Sequence, residues 1–313
     1  MYSVCSVGIP SSSFKIGVDG GGTKTEGILI DAAGTVVSRH VGPGSNPNIV
    51  GPETARATVT ALLRALAASL NSPTSTSTGS VGTTLLFMSG APALWTEFAA
   101  TLEGYGRVAA APDSLPSLEL ATGGAPGLVI HAGTGSFVAA RASDGTVHYA
   151  GGTGWRFGDP GSGYELGRRA IALALLELQG WLPASRLGPT VRDHTELGDA
   201  ADARAITRYF YAHAEPNRAI AALAPAVLRL ATEGDAIAHQ VLVESAGELL
   251  DLAHHVAAKL FPGTALAEIP TGLSGALLTH STVLSALAAR TALPLAPITA
   301  APIEGVRRLL LRA

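Results

Sequence analysis

The residues of this chain that could do chemistry first appear in the stretch IGVDGGGTKTEGILI, Ile16–Ile30. Three consecutive glycines stand between two apolar segments, and a turn without side chains exposes backbone N–H groups that can surround a phosphate. Gly21 and Gly22 are therefore predicted to bind phosphate, while Thr23 and Lys24 offer a hydroxyl and a positive charge for the β- and γ-phosphates. The alternative is a plain tight turn in which Lys24 is a solvated surface lysine.

Asp19 ends the apolar segment before these glycines. A carboxylate beside phosphates needs a divalent cation, so Asp19 is predicted to hold Mg²⁺, directly or through water. The nine histidines include no H-x-x-x-H pair with an acidic partner, and they predict no second metal site.

The other nucleotide-binding motifs fit this stretch poorly. A Walker A loop reads G-x-x-x-x-G-K-[ST], whereas Thr23 here separates Gly22 from Lys24. A Rossmann fingerprint needs a third glycine where Thr25 stands. Both motifs also require a helix after the turn, and Glu26–Ile30 has the pattern of a strand.

A second stretch, Gly127–Gly152, repeats the order strand, Gly/Thr/Ser turn, strand, Asp-Gly turn, strand. Shifting Ile16–Val36 by 111 residues onto Gly127–Val147 matches six of 21 positions. Hairpins can converge on similar turn chemistry, but an internal duplication with one glycine-rich hairpin in each of two lobes is the favoured interpretation. Two facing hairpins could hold the phosphates of one nucleotide. The second set of predicted phosphate-binding residues is Gly133, Thr134, Gly135 and Ser136.

Composition limits the classes of function. The chain has 313 residues, of which 47% are hydrophobic and 14% charged, and its formal net charge is −3. No basic run supports nucleic-acid binding, and no apolar stretch is long enough to predict a membrane span. Cys5 is the single cysteine, so no internal disulfide or thiolate metal site is expected. No signal peptide is predicted, and the expected location is the cytoplasm.

The apolar patterning predicts an α/β protein. The first lobe has the order βββαβαβ, with strands at Phe14–Asp19, Lys24–Asp31, Thr35–His40, Val81–Met88 and Arg107–Pro112, and helices at Pro52–Leu70 and Ala93–Glu103. Asn71–Ser80 is predicted to be a surface loop. Beyond Gly161 the pattern predicts one strand, Leu266–Leu273, and helices at Arg168–Gln179, Asp199–His213, Ala219–Glu233, Asp235–Leu260, Ser281–Arg290 and Glu304–Arg312.

With these motifs in hand, the chain resembles the N-acetylglucosamine kinase group of the BadF/BadG/BcrA/BcrD-type ATPases, within the sugar kinase, Hsp70 and actin superfamily. The resemblance rests on Asp19–Thr25, Asp113, Gly133–Ser136 and the stretch GGTGWRFGDPGSGYELGRRAI at Gly151–Ile171. It implies two ribonuclease-H-like lobes with mixed sheets flanked by helices and an ATP cleft between the lobes. The implied domains are 1–112, joined by the helix 302–313, and 113–301.

The same resemblance assigns the site residue by residue. Asp113 stands where these kinases place the general base for the sugar hydroxyl, and it is also counted among the sugar ligands. The other implied sugar-binding residues are Asn46, Thr134, Gly152, Thr153 and Asp159. Gly272 and Gly275 in IPTGLSGAL match the adenosine motif. Simpler interpretations remain open: Asp113 could only cap a helix, and Asn46 and Asp159 could only be turn residues.

The chain departs from the family pattern at two positions of this motif. Thr153 replaces a tryptophan that borders the N-acetyl group, and Pro160 replaces a glutamate. Trp155, two residues further on, could take part of the missing role. The identity of the sugar is therefore less well determined than the type of reaction.

These observations predict an ATP- and Mg²⁺-dependent kinase of an amino sugar, in the first place N-acetylglucosamine at its 6-hydroxyl, acting as a homodimer. Two alternatives stay open. One is a partner-activating ATPase of the 2-hydroxyacyl-CoA dehydratase activator type, although Cys5 lies outside any loop that could hold that group's iron–sulfur cluster. The other is a non-catalytic sugar sensor.

Overall fold

A computed structural model describes residues 14–71 and 79–313. Cys5 and most of the loop predicted at residues 71–80 lie outside these residues. The chain divides into two compact units, Met1–Leu120 with Ala300–Ala313, and Ala121–Thr299. The sequence placed this boundary at 112/113. The observed boundary lies eight residues later, inside the helix Ser114–Thr122, because Leu115 packs in the apolar cluster of the first unit and Glu119 pairs with Arg312 at 2.7 Å.

The first unit is a mixed five-stranded sheet in the order β3-β2-β1-β4-β5. Its strands are β1 Phe14–Gly20, β2 Lys24–Ile30, β3 Val36–Pro43, β4 Val81–Met88 and β5 Arg107–Pro112. Its helices are α1 Pro47–Val50, α2 Pro52–Ala68, α3 Pro92–Thr101, α4 Ser114–Thr122 and α12 Pro302–Arg312, with a 3₁₀ turn at Ser69–Asn71. β1, β4 and β5 run parallel, so the residues that follow them meet at one edge of the sheet.

The last helix, α12, packs directly on the first strand. A Cβ atom at Gly17 would lie 2.3 Å from Val306 Cγ1, so only glycine admits the helix at this distance. Lys15 Nζ donates a hydrogen bond to the Leu310 carbonyl at 2.9 Å. Ile303, Val306 and Leu310 are buried against this face of the sheet. The first unit therefore needs segments from both ends of the sequence.

The second unit contains a sheet of the same design, in the order β10-β9-β6-β7-β8. Its strands are β6 Gly127–Ala132, β7 Ser136–Arg141, β8 Val147–Gly151, β9 Thr271–Ser274 and β10 Leu295–Pro297. As in the first sheet, a three-stranded antiparallel meander is extended by two parallel strands. The helices are α5 Gly163–Leu178, α6 Leu187–Thr195, α7 Ala203–Ala212, α8 Pro216–Ala221, α9 Ala224–Thr232, α10 Ala236–Leu260 and α11 Ser281–Ala288, with a 3₁₀ turn at Leu266–Glu268.

The matching strand orders support the internal duplication and refine its alignment. The last paired residues of the first hairpin are Gly20 and Thr25, and those of the second are Ala132 and Ser136. The first loop is thus one residue longer. After the loops, Thr25 aligns with Ser136 at an offset of 111 residues. Before the loops, β1 aligns with β6 at an offset of 112, so Asp19 of β1 is equivalent in sequence position to His131 of β6.

Several predicted elements in the second unit were wrong in extent. The helix predicted at Ala219–Glu233 is two helices, α8 and α9, because Pro225 stands in the first turn of the second. α5 starts at Gly163, before the predicted Arg168, and its N-cap Ser162 accepts a hydrogen bond from the Glu165 N–H. The strand predicted at Leu266–Leu273 is a 3₁₀ turn followed by the short β9. α6 and β10 were not predicted.

Across residues 14–71 and 79–313, none of the helices combines the length and apolar character needed to cross a membrane. The prediction of two lobes, each with a mixed sheet flanked by helices, is confirmed.

Candidate functional site

The first glycine loop is fixed by Gly44 and Ser45, which precede the predicted sugar ligand Asn46 and whose contact with the loop was not predicted. Gly21 N–H donates to the Lys24 carbonyl at 2.9 Å, and Ser45 N–H donates to the Gly21 carbonyl at 3.0 Å. A Cβ atom at Gly44 would lie 2.2 Å from the Gly22 oxygen. The segment around Gly44 therefore touches the loop backbone to backbone. The signal was present in GPGSNPN, whose glycine before the serine permits this approach.

Lys24 does not extend freely from this loop. Its Nζ lies 2.8 Å from Glu26 Oε2, and Glu26, which is 1% exposed, also pairs with Arg39. The Lys24 side chain remains half exposed. Its charge is thus shared with a buried carboxylate, and a phosphate would have to compete with Glu26 for it. Gly22 and Thr23 are exposed at the tip of the hairpin.

Two predicted acids lie at the edge where the parallel strands of the first sheet end. Asp19 is the last residue but one of β1, and Asp113 follows β5 directly. Burial raises the pKa of Asp19 to about 7, and the Asp113 carboxyl raises it further, while Lys24 lowers it. Burial also raises the pKa of Asp113 to about 6, against hydrogen bonds from its own and the Ser114 backbone. A pair of buried, electrostatically coupled carboxyls is typical of an active site rather than of a helix cap.

Asn46 lies at the same edge. It caps the short helix α1, with Oδ1 accepting a hydrogen bond from the Asn48 N–H at 3.0 Å. The turn after β4 passes directly beside it, because a Cβ at Gly90 would lie 2.5 Å from Asn46 Oδ1. That turn is tied to β1 by Ser89 N–H, which donates to the Gly20 carbonyl at 2.9 Å. Asn46, Asp19 and Asp113 are therefore brought together within the first unit.

The second glycine loop is held by the residues that start α5. Gly133 N–H donates to the Gly135 carbonyl at 2.8 Å and closes the turn, and Gly163 N–H donates to the Gly133 carbonyl at 2.8 Å. Tyr164 N–H reaches the Thr134 carbonyl at 3.4 Å. The Ser136 hydroxyl donates to the Pro160 carbonyl at 2.6 Å, so this hydroxyl serves the loop structure.

Asp159 adjoins this second loop. The side chain is 4% exposed, and Oδ2 lies 3.0 Å from the position that a Cβ at Gly135 would take. Within residues 14–71 and 79–313, Oδ1 is buried without a hydrogen-bond partner. Burial raises the pKa of Asp159, and Glu165 contributes in the same direction. A buried carboxylate oxygen of this kind needs a hydrogen-bond donor that the described residues do not supply.

A cavity of about 750 Å³ opens beside Asp159 and is lined also by Trp155, Arg156 and Tyr164. Arg156 stacks over the Trp155 ring at 5.1 Å, and Trp155 contacts Tyr164 with ring centroids 5.4 Å apart. Trp155 therefore lines the same cavity as Asp159.

The predicted sugar residues Gly152 and Thr153 start the same loop. Gly152 has φ +64°, and a Cβ there would lie 2.3 Å from the Tyr149 hydroxyl oxygen. The Thr153 hydroxyl donates a hydrogen bond to the Gly158 carbonyl at 3.4 Å, and this bond connects the two ends of the loop that precedes Asp159.

The two glycines of the predicted adenosine motif have different environments. Gly275 follows β9 with φ +96°, and a Cβ there would lie 1.9 Å from the Ala132 oxygen, next to the second glycine loop. Gly272 lies inside β9 and is buried, where a Cβ would meet Ala121 Cβ at 2.6 Å. Gly275 thus belongs to the turn, whereas Gly272 serves strand packing.

In the described part of the chain, no three His, Cys, Asp or Glu side chains cluster in a way that could hold a metal ion. A cation at Asp19 would therefore take its remaining ligands from phosphate oxygens and water. When ionised, the buried Asp19 carboxylate has only Lys24 nearby to compensate its charge, and such a cation would stabilise this ionised form.

Two known proteins have sequences similar to this chain. An N-acetyl-D-glucosamine kinase of Dictyostelium discoideum is 28% identical over 260 residues, which cover 80% of this chain and 81% of that protein. An N-acetylmuramic acid/N-acetylglucosamine kinase of Clostridium acetobutylicum is 31% identical over 123 residues, 39% of each chain.

The crystal structure of a Chromobacterium violaceum protein, provisionally named an N-acetylglucosamine kinase, superimposes with a TM-score of 0.75 at 30% identity. The match covers 96% of this chain and 100% of that one. Residues 16–289 match the BadF/BadG/BcrA/BcrD ATPase family, which confirms the resemblance that the motifs indicated. The chain belongs to the BadF/BadG/BcrA/BcrD ATPase family.

Proposed function

We propose that this protein is an ATP-dependent kinase that transfers the γ-phosphoryl group to an amino sugar, in the first place to the 6-hydroxyl of N-acetylglucosamine. The observation that carries the proposal is the buried pair Asp19 and Asp113 beside the first glycine loop. The names of the Dictyostelium and Clostridium relatives support the sugar, and the family supports the use of ATP.

Asp113 acts as the general base in this proposal. A pKa of about 6 leaves the carboxyl largely ionised at neutral pH, yet makes it a better proton acceptor than an aspartate in water. It would accept the proton of the sugar hydroxyl as that oxygen attacks the γ-phosphorus. Phosphoryl transfer depends mainly on positioning and on charge stabilisation, so one well-placed base is sufficient.

ATP would be bound by the two glycine loops. Gly22, Thr23, Thr134, Gly135 and Ser136 would supply backbone N–H groups, and Lys24 would supply positive charge in competition with Glu26. Gly21 and Gly133, whose N–H groups close the two turns, would let the phosphates approach without a side chain in the way. Gly275 lies in the turn proposed for adenosine. Asp19 would hold Mg²⁺, which when bound reduces the charge repulsion between the phosphates and the incoming hydroxyl oxygen.

Sugar recognition is proposed to rest on hydrogen-bonding groups around Asp113. Asn46 and Asp159 would contact sugar hydroxyls, with Thr134, Gly135, Gly152 and Thr153 completing the ligand set. The unpaired Asp159 oxygen supports this role. The cavity that contains Trp155 would receive the N-acetyl group, in place of the tryptophan that Thr153 replaces.

The test is incubation of the purified protein with ATP, Mg²⁺ and a panel that includes N-acetylglucosamine, N-acetylmuramic acid, glucosamine and glucose. We expect sugar-dependent ADP release together with a phosphosugar. ADP release that ignores the sugar would favour the partner-activating ATPase, and sugar binding without turnover would favour the sensor.

The residue-level test is Asp113→Asn, which we expect to reduce kcat at least a hundredfold with little change in ATP affinity. The matched control is Asp251→Asn on the exposed face of α10, where kcat should stay within twofold. A D113N variant with half the normal rate would remove Asp113 from the role of base.

We also propose that the protein acts in the cytoplasm as a homodimer. The single cysteine at position 5 is compatible with a reducing compartment. Light scattering measures the mass in solution, and a value near 31.6 kDa would contradict the dimer.

A further inference from the structure

His131 is a buried histidine that none of the predicted roles uses. It lies near the end of β6, at the position that corresponds to Asp19 in the first sheet, and two residues before the loop Gly133–Ser136. Its Cα partners are Phe137 on β7 and Ser274 on β9. His131 thus stands where the second glycine loop and the turn at Gly275 meet.

The imidazole ring is held on two sides. Nδ1 lies 3.1 Å from Ser274 Oγ. The ring face stacks on Phe137 with centroids 4.7 Å apart and an interplanar angle of 19°, and Phe137 stacks in turn on Tyr149 at 5.0 Å. Burial lowers the pKa of His131 to about 4, so the ring is neutral at physiological pH. A neutral imidazole carries one proton, on either Nδ1 or Nε2.

The contact with Ser274 selects between these two forms. Ser274 is 6% exposed, and its only hydroxyl contact in the described part of the chain is His131 Nδ1. A buried hydroxyl without an acceptor is unfavourable, so Ser274 donates its proton to Nδ1. The ring proton then lies on Nε2.

Nε2 points toward the second glycine loop. It lies 3.2 Å from the position that a Cβ at Gly133 would occupy, so the missing side chain leaves this nitrogen uncovered. Within residues 14–71 and 79–313, Nε2 has no hydrogen-bond partner. An oriented N–H donor stands ready beside a loop whose glycines admit an anion.

We propose that His131 is a further nucleotide-binding residue, which donates its Nε2–H to a phosphate oxygen of the nucleotide while Nδ1 accepts a hydrogen bond from Ser274. The proposal rests on the proposed function in one respect, that ATP binds at Gly133–Ser136. A neutral donor suits this place, because its burial carries no cost of desolvating a cation, and its strength grows with the charge on the acceptor.

The first test compares the binding of adenosine, ADP and ATP by calorimetry in the wild type, His131→Phe and His131→Gln. Phenylalanine keeps the stacking on Phe137 but removes the donor, so ATP and ADP should bind about tenfold more weakly, about 1.4 kcal/mol, while adenosine stays within twofold. Glutamine places an amide N–H near the position of Nε2 and should recover most of the loss.

The pattern across the three ligands separates a phosphate contact from a purely structural role. If His131 only supports the turn at Gly275, H131F will bind adenosine more weakly by the same factor as ATP, and the inference is wrong. It is also wrong if H131F binds ATP like the wild type. A wild-type protein that binds ATP normally but phosphorylates no sugar refutes the kinase and leaves this inference intact, whereas one that binds neither ADP nor ATP refutes both.

A second measurement does not depend on how well the variants fold. In protein labelled with ¹⁵N-histidine, the ¹⁵N shifts of His131 should identify the Nε2–H form before ligand is added. The Nε2 signal should then move when ADP binds and stay in place when adenosine binds. A proton on Nδ1, or the same response to both ligands, would overturn the proposal.

Discussion

Replacing Asp19 by asparagine should stabilise the protein while abolishing its activity. The folded state binds the Asp19 proton more tightly than the unfolded chain does, because the pKa is raised from 3.8 to about 7. This contribution to stability is fully present below pH 3.8 and is lost as the pH rises to about 7. Above pH 7 the ionised carboxylate costs the folded state about 4 kcal/mol, at 1.36 kcal/mol for each pKa unit.

Asparagine cannot ionise, so the difference in the free energy of unfolding between Asp19→Asn and the wild type, in favour of the variant, must increase with pH. At pH 5.5 the wild type has incurred about 2 kcal/mol of this cost, and at pH 8 about 4 kcal/mol, so the advantage should increase by about 2 kcal/mol between the two. The difference between two pH values cancels any packing effect of the amide itself. The same substitution removes the proposed ligand for Mg²⁺, and kinase activity should be lost.

The measurement is guanidinium unfolding at pH 5.5 and pH 8 in EDTA. With Trp155 and Trp181 replaced by phenylalanine, Trp95 is the single tryptophan, and because it is 1% exposed in the first unit its fluorescence follows that unit. The control is Glu97→Gln, because the Glu97 side chain is 75% exposed. The difference in the free energy of unfolding between this variant and the wild type should be the same at both pH values. An advantage of D19N that is the same at both pH values would refute the account of Asp19.

Three further predictions concern the base and two glycines. The sugar-saturated rate should fall tenfold per pH unit below about pH 6, because protonated Asp113 cannot accept a proton; a rate unchanged down to pH 5 would contradict this. Gly44→Ala should weaken ATP binding about tenfold in a calorimetric titration, since its Cβ would lie 2.2 Å from the Gly22 oxygen, whereas Gly42→Ala, with its nearest atom at 3.9 Å, should not. Gly275→Ala combines positive φ with a clash and should lower the free energy of unfolding by about 3 kcal/mol or more. Gly263→Ala has positive φ in open space and should cost about 1 kcal/mol; equal losses would show that the contact with Ala132 is unimportant.

The strands of the first unit were largely predictable from the sequence. β4 and β5 have the bounds that their patterns predicted, because each is a run of apolar residues between clear turn signals. The failures have local causes. β10 has three residues, too few for a pattern to register, and Pro225 divides a helix that otherwise has continuous apolar spacing.

The residue types of the candidate site were also predictable, but their contacts were not. The acids and glycines stand in recognisable motifs, whereas the Lys24–Glu26–Arg39 arrangement joins adjacent strands through side chains. The approach of Gly44 to Gly22 and the contact of His131 with Ser274 link segments far apart in sequence. Such pairs follow from the sheet register, which a single sequence does not determine.

The position of α12 on β1 has a consequence for how the protein is made. On the ribosome, β1 emerges early, but the helix that covers Gly17 and accepts the Lys15 hydrogen bond is translated only after the whole of the second unit. The second unit is continuous in sequence, so its folding does not depend on a segment translated after it. The first must wait with one face of its sheet uncovered, so chaperone contact and aggregation during synthesis should concentrate on the apolar surface that Ile303, Val306 and Leu310 later bury.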